Sequence, residues 1–325
     1  MRIRSLILTA ALTILVLAGG VTAFVQFRPE AAYQAVVGLE RWRADLETRS
    51  LSAGAYRWSY LRGGEGPPLL LLHGFGADKD NWTRIGPYLT DHFEVIAPDL
   101  IGFGTSSRPG DADYAIRAQA QRVLEFADAA GLEQFHVGGS SMGGYIAGAL
   151  AGLAPERVLS LWLIAPGGVL AAPPSEMFLS IEQGINPLNP RTIDEFETTL
   201  AFVFHRRPFI PGPLRAYLAR VMTERQGLLE KIFSDLRYRS QPLEAYLQGN
   251  TTPAFILWGE HDRVLHPSGT SVLTGIMPNA EDHVMPDTGH LPMIERPAES
   301  AELYLDWFQR RFPGQGTGSG SSTSR

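Results

Sequence analysis

The chain has 325 residues, 44% of them apolar, with a net charge of −6 and no cysteine. That composition supports a core large enough for one α/β domain with an insertion. It excludes disulfides, thiolate metal ligands and a cysteine nucleophile, and with no Lys/Arg block in the globular part it offers no nucleic-acid surface.

Residues 1–28 stand apart. Arg2 and Arg4 precede a charge-free apolar run over 5–27. At ~1.5 Å per residue, that run reaches about one hydrocarbon thickness. It fits an uncleaved membrane anchor, or a signal peptide cut near Val21-Thr22-Ala23. Its length favours the anchor. The basic N-terminus places the folded domain outside the cytoplasm, in the periplasm, or secreted if the segment is cleaved. Arg28, Arg41 and Arg43 on the other flank act against that orientation. Residues 29–50 read as a linker helix over 29–48, with Tyr33, Val36, Val37, Leu39, Trp42 and Leu46 on a broad stripe. This helix either packs on the domain or lies on a membrane surface with Arg41 and Arg43 near headgroups.

From residue 51 the pattern changes to strand–helix alternation. The stretch 56–61 alternates like an edge strand. Runs at 69–72, 93–97, 135–137, 159–164 and 254–258 are continuously apolar, as in strands buried on both faces. Helical periods fall at 113–131, 267–277 and 298–312. The expectation is an α/β fold: a mostly parallel sheet with helices on both faces, its core split into 51–166 and 251–312. Between them, 167–250 carries many prolines and aromatics but no strand-like run, and reads as an inserted helical cap. The Gly/Ser/Thr-rich tail, 313–325, is expected to be disordered.

Gly139-Ser140-Ser141-Met142-Gly143 spells G-x-S-x-G between a strand and a small-residue helix. In that context it is a nucleophile elbow, its glycines needed because a side chain at either would clash with the adjacent backbone. Ser140 has Gly138 two residues before it but Met142 two after it, so only Ser141 fits the spacing. A serine hydroxyl needs a base for its proton, and the base needs an acid to orient it. On such a sheet the order is serine, acid, histidine. His73 and His136 precede the serine, His205 lies in the insertion, and His261 adjoins the candidate acid. His266 opens a helix and His283 alternates within a strand. His290 remains, in the loop after the last strand and before the last helix. Asp262, shortly after strand 254–258, is the candidate acid, with Glu260 as rival and Asp287 as a weaker one. Two backbone N–H groups should hold an oxyanion. These are the N–H of Met142 and that of Phe75, in the loop His73-Gly74-Phe75-Gly76.

Together these motifs, with Asp99-Leu-Ile-Gly-Phe-Gly-Thr-Ser and Trp258-Gly-Glu-His-Asp, resemble the α/β-hydrolase superfamily over about residues 56–312. Asp80-Asn-Trp, Tyr88-Leu89, Phe204 with Pro208-Phe-Ile-Pro, and the N-terminal segment resemble Moraxella-type bacterial lipases and membrane-anchored monoacylglycerol lipases. The resemblance implies a turn-structuring role for Asp99. It also implies a serine hydrolase cleaving lipid or acylglycerol esters through an acyl-enzyme on Ser141, His290 and Asp262, with Phe75 and Met142 as oxyanion donors and with no metal or organic cofactor. The membrane would be reached through the N-terminal segment. Two alternatives use the same fold: a carbon–carbon bond hydrolase of meta-cleavage-product type, and a non-catalytic ligand-binding member. Epoxide hydrolases and dehalogenases of this fold need an aspartate where Ser141 stands.

Overall fold

The computed structural model describes residues 2–315. Within the first helix, the side chains of residues 2–5, 7–12 and 16–17 fall outside the described set, so the expected anchor lies partly, and the expected disordered tail mostly, beyond what is described. Helix α1 (Arg2–Phe27) leads into α2 (Pro29–Arg43). Among the described residues, no helix is long and apolar enough to cross a membrane.

Eight strands form the sheet: β1 (Glu47–Ala53), β2 (Tyr56–Gly63), β3 (Pro68–Leu72), β4 (Glu94–Pro98), β5 (Phe135–Ser140), β6 (Val158–Ile164), β7 (Ala254–Gly259) and β8 (Ala280–Met285). Their spatial order is β1-β2-β4-β3-β5-β6-β7-β8. β1 and β2 pair antiparallel, as do β2 and β4, and all other pairs are parallel. β3 lies between β4 and β5, so the chain reverses its direction of winding there. Such a switch opens a crevice at the carboxyl ends of the strands.

Continuous apolar runs become strands because both faces are covered. Leu70, Leu72, Leu161, Leu163 and Ile256 face one core, and Leu69, Leu71, Trp162, Ile164 and Leu257 face the other. On the first face lie α3 (Ile116–Ala129) and α4 (Met142–Leu153). Asp113, at the start of the helical period over 113–131, accepts from the N–H of Ala115, and α3 itself begins only at Ile116. Between β6 and β7 run five helices: α5 (Glu176–Glu182), α6 (Ile193–Val203), α7 (Gly212–Thr223), α8 (Gln226–Tyr238) and α9 (Leu243–Leu247). After β7 comes α10 (Gly269–Ile276), and after β8 come α11 (Pro292–Glu295) and α12 (Pro297–Arg311). α12 closes the second core with Tyr304, Trp307 and Phe308, the Tyr304 ring stacking on Trp162 at 4.0 Å.

The linker helix is shorter than its sequence period suggests. α2 ends at Arg43, and residues 47–48, expected in it, open β1. The stripe also divides: Val37 and Leu46 are buried, while Val36, Leu39 and Trp42 are exposed, Trp42 by 77%. What ties α2 down is polar. Arg41 donates to both carboxylate oxygens of Asp80, at 2.7 and 2.6 Å. Arg41 is thus held by the domain.

His136 projects from β5 into the second core, its Nδ1 2.7 Å from Ser160 Oγ, with Phe308 and Phe312 edge-on to its ring. Burial pushes its pKa from 6.5 down to about 4. The unfolded chain therefore takes up a proton near pH 6.5 that the folded chain refuses until about pH 4. Stability present at neutral pH is lost as pH falls through that window, by up to about 3 kcal/mol. Urea midpoints between pH 7 and pH 4 should fall less steeply for His136→Leu than for the unaltered protein. Equal slopes would contradict this.

Candidate active site

The site residues gather at the carboxyl ends of β3, β5, β7 and β8. β5 ends at Ser140, which is wholly buried, and Ser141 follows with φ of 56° and ψ of −116°. A non-glycine residue at such a φ is strained and needs its surroundings to hold it there. Ser141 N–H donates to Ile164 O, and Ser141 O accepts from Tyr145 N–H and Gly167 N–H. The motif glycines are set by close approach. A Cβ on Gly139 would lie 2.2 Å from Gly143 O, and one on Gly143 would lie 2.0 Å from Leu72 O. The Ser141 side chain makes no capping bond to α4 and is 9% exposed.

The loop after β3 runs against this turn. A Cβ on Gly74 would come within 3.3 Å of Ser141 Cβ. His73 shapes the loop from beneath. Its Nδ1 is 2.8 Å from Gly74 O, and its Nε2 accepts from Leu100 N–H at 3.0 Å. That pattern assigns the proton to Nδ1, and burial lowers the ring's pKa, keeping it neutral. Among the described residues, the N–H groups of Phe75 and Met142 donate to no backbone carbonyl. For Met142 the reason is its place as the first residue of α4, whose N–H groups point out of the helix.

Asp262 and His290 come from the loops after β7 and β8. Both are buried, and His290 Nδ1 lies 2.7 Å from Asp262 Oδ2. The other oxygen, Asp262 Oδ1, accepts from Val264 and Leu265 N–H at 2.8 and 3.0 Å. The rivals lie elsewhere. Glu260 accepts from Asp287 N–H, and Asp287 pairs with Arg206 at 3.1 Å. The backbone of His290 is held by the insertion, its N–H donating to Val203 O at the end of α6. Asp262 also lines a cleft of about 610 Å³ between the insertion and the loop after β7, with Leu179, Phe204, His205 and His261. Ser141, Phe75, Met142 and His290 do not line it.

One supporting pair was hidden in the sequence. Lys79, within Asp78-Lys79-Asp80, looks like part of a solvated charge run, yet it is buried and its Nζ donates to Asp99 Oδ2 at 2.9 Å. Asp99 also accepts from the N–H groups of Lys79 and Thr105. Burial alone would raise the Asp99 pKa, but Lys79 and these donors hold it below the usual carboxylate range. The spacing of Asp99 before Gly102 and Gly104 was the available signal: a Cβ on Gly104 would lie 2.1 Å from the Asp99 carboxyl carbon.

A mostly parallel sheet with a strained serine between β5 and α4, and an acid–histidine pair after β7 and β8, defines a hydrolase-type architecture. Residues 67–297 match the alpha/beta hydrolase fold family, and the chain belongs to it. Lipase 3 of Moraxella sp. (strain TA144) is 37% identical over 282 residues, spanning 83% of this chain and 87% of its own. A monoacylglycerol lipase of Xenopus laevis is 31% identical over 283 residues, 82% of this chain and 84% of its own. The crystal structure of a membrane phospholipase A, described as a novel bacterial virulence factor, superposes with a TM-score of 0.85 at 41% identity, over 94% of this chain and 98% of that one. With such relatives the chain is a carboxylester hydrolase of the lipase and esterase type.

Proposed function

We propose that Ser141, His290 and Asp262 act as nucleophile, base and orienting acid in the hydrolysis of acylglycerols or similar lipid esters. The observation that carries this reading is the 2.7 Å bond between Asp262 Oδ2 and His290 Nδ1. It fixes the proton on Nδ1 and leaves Nε2 to take the proton of the Ser141 hydroxyl. The serine oxygen attacks the ester carbonyl, and the resulting oxyanion rests on the N–H groups of Phe75 and Met142. His290 returns the proton to the leaving alcohol. Water, deprotonated by the same imidazole, then releases the acid and frees the serine. No cofactor enters any step.

The lipid preference is supported by the lipase relatives and by apolar side chains that the insertion exposes, among them Leu170, Leu179, Ile185 and Phe209. Phe209 is 89% exposed. The same reading gives the N-terminal segment the task of holding the enzyme at a membrane, with the domain on the extracytoplasmic side. Support comes from the charge-free run over 5–27 and from the exposed Leu6, Ile14, Leu15, Val21 and Phe27.

A fluorophosphonate probe should label Ser141, and p-nitrophenyl esters of graded chain length should be turned over by the membrane fraction. Labelling that survives Ser141→Ala would reject the nucleophile, and no hydrolysis at any chain length would reject the ester substrate.

A further inference from the structure

Outside the candidate active site, three metal-ligating side chains converge from three separate segments. His205 follows α6 in the insertion, His261 follows β7 and Asp287 follows β8. One ligand atom from each lies within 4.8 Å of the others. The two imidazole rings stack with centroids 4.2 Å apart and planes 20° apart. We propose that His205, His261 and Asp287 form a surface site for a transition-metal ion of the Zn²⁺ type, which clamps the helical insertion onto the loops after β7 and β8.

Two imidazoles and a carboxylate are a donor set that suits zinc, copper or nickel far better than magnesium or calcium. Around a tetrahedral zinc, ligand atoms lie roughly 3.3 Å apart. All three side chains are exposed, so modest rotations close the remaining gap. Glu260 stands beside them as a further oxygen donor, 3.8 Å from His261 Nε2. The cation now facing the carboxylate is Arg206, 3.1 Å from Asp287. Both partners are more than half exposed, and pairs of that kind contribute little, so a metal displaces it readily.

The backbone beneath the cluster is already assembled, which lowers the ordering needed on binding. His261 N–H donates to Thr288 O, and His290 N–H donates to Val203 O. Glu295 accepts from both Gly289 N–H and Arg206 N–H, at 2.9 and 2.8 Å. Gly289 lets the segments meet: a Cβ there would lie 2.5 Å from His205 N. Asp287 is set at a φ of 51°, a conformation aspartate tolerates better than most residues. The three donors therefore sit on segments cross-linked by hydrogen bonds, and only their tips are free to adjust.

The test uses the full-length chain purified without a histidine tag. Calorimetric titration with ZnCl₂ should show one site, and Mg²⁺ should not compete. His205→Ala and His261→Ala should each weaken it by at least roughly tenfold. His266→Ala, which alters a third exposed histidine lining the same cleft, should leave it intact. Amide exchange over 204–207 should slow when Zn²⁺ is added to the unaltered protein. The site is refuted by no Zn²⁺ binding or by full affinity in both histidine variants. The clamp is refuted if binding leaves exchange over 204–207 unchanged.

Discussion

Ser141→Ala is expected to lower kcat on a short-chain ester by about 10⁶-fold, and His290→Ala by a similar factor. Such a loss equals about 8 kcal/mol of transition-state stabilisation. The double variant should be no slower than either single one, because a hydroxyl without its base and a base without its hydroxyl are equally idle. Asp262→Asn should cost about 10⁴-fold. The geometry gives the reason. An asparagine oxygen in the place of Oδ1 can still accept from Val264 and Leu265 N–H. Its amide would then point N–H groups at His290 Nδ1, which forces the ring proton onto Nε2, the atom that receives one in the proposed relay. Single-turnover kinetics with p-nitrophenyl butyrate would measure all four variants, with melting temperatures to confirm folding. Losses that multiply in the double variant would mean the residues act independently, and the proposed relay would be wrong.

The largest loss of stability is expected from Lys79→Met. Asp99 is fully buried and Lys79 almost so. Removing the ammonium leaves a carboxylate in the interior with only neutral donors, from Lys79 N–H, Thr105 N–H and Thr105 Oγ. Breaking one side of such a pair costs about 3–5 kcal/mol. Replacing both charges, in Lys79→Met with Asp99→Asn, should recover part of it, since no charge is then stranded and the amide oxygen can still accept from one N–H. The Asp99 pKa is depressed in the folded state, so the pair's stabilisation is present above the ordinary carboxylate range and disappears as pH falls through the folded value. Urea unfolding of the single and double variants at pH 7 checks the claim. A single variant within 1 kcal/mol of the unaltered protein, taken roughly as the surface-pair range, would show that the pair is solvated.

Where sequence and structure agree, the reason is local. The strands at 69–72, 159–164 and 254–258 are buried on both faces, so they needed unbroken apolar runs and were legible as such. The turn at 139–143 was legible because a Cβ on Gly139 or Gly143 would come within 2.0–2.2 Å of a backbone oxygen, which leaves room only for glycine. What stayed hidden depends on partners far along the chain. β1, with the sequence Glu-Thr-Arg-Ser-Leu-Ser-Ala, pairs at the sheet edge by backbone bonds and exposes most of its side chains, so it shows no apolar pattern. Lys79 is buried only because Asp99 meets it from the loop after β4. Arg41 and Asp80 pair across 39 positions, and neither residue shows this in its own neighbourhood. His205 and His261 lie far apart in the sequence, and only the folded chain stacks one ring on the other.

The bond from His290 N–H to Val203 O has a bearing on evolution and engineering. Under the proposed ester hydrolysis, the insertion that exposes apolar side chains also carries the imidazole's tether. Variants selected for a new substrate by altering α6 or the turn behind it should therefore show altered turnover even on the original one. Compensating changes are then to be sought around Gly289 and Glu295, where the two loops are stitched together.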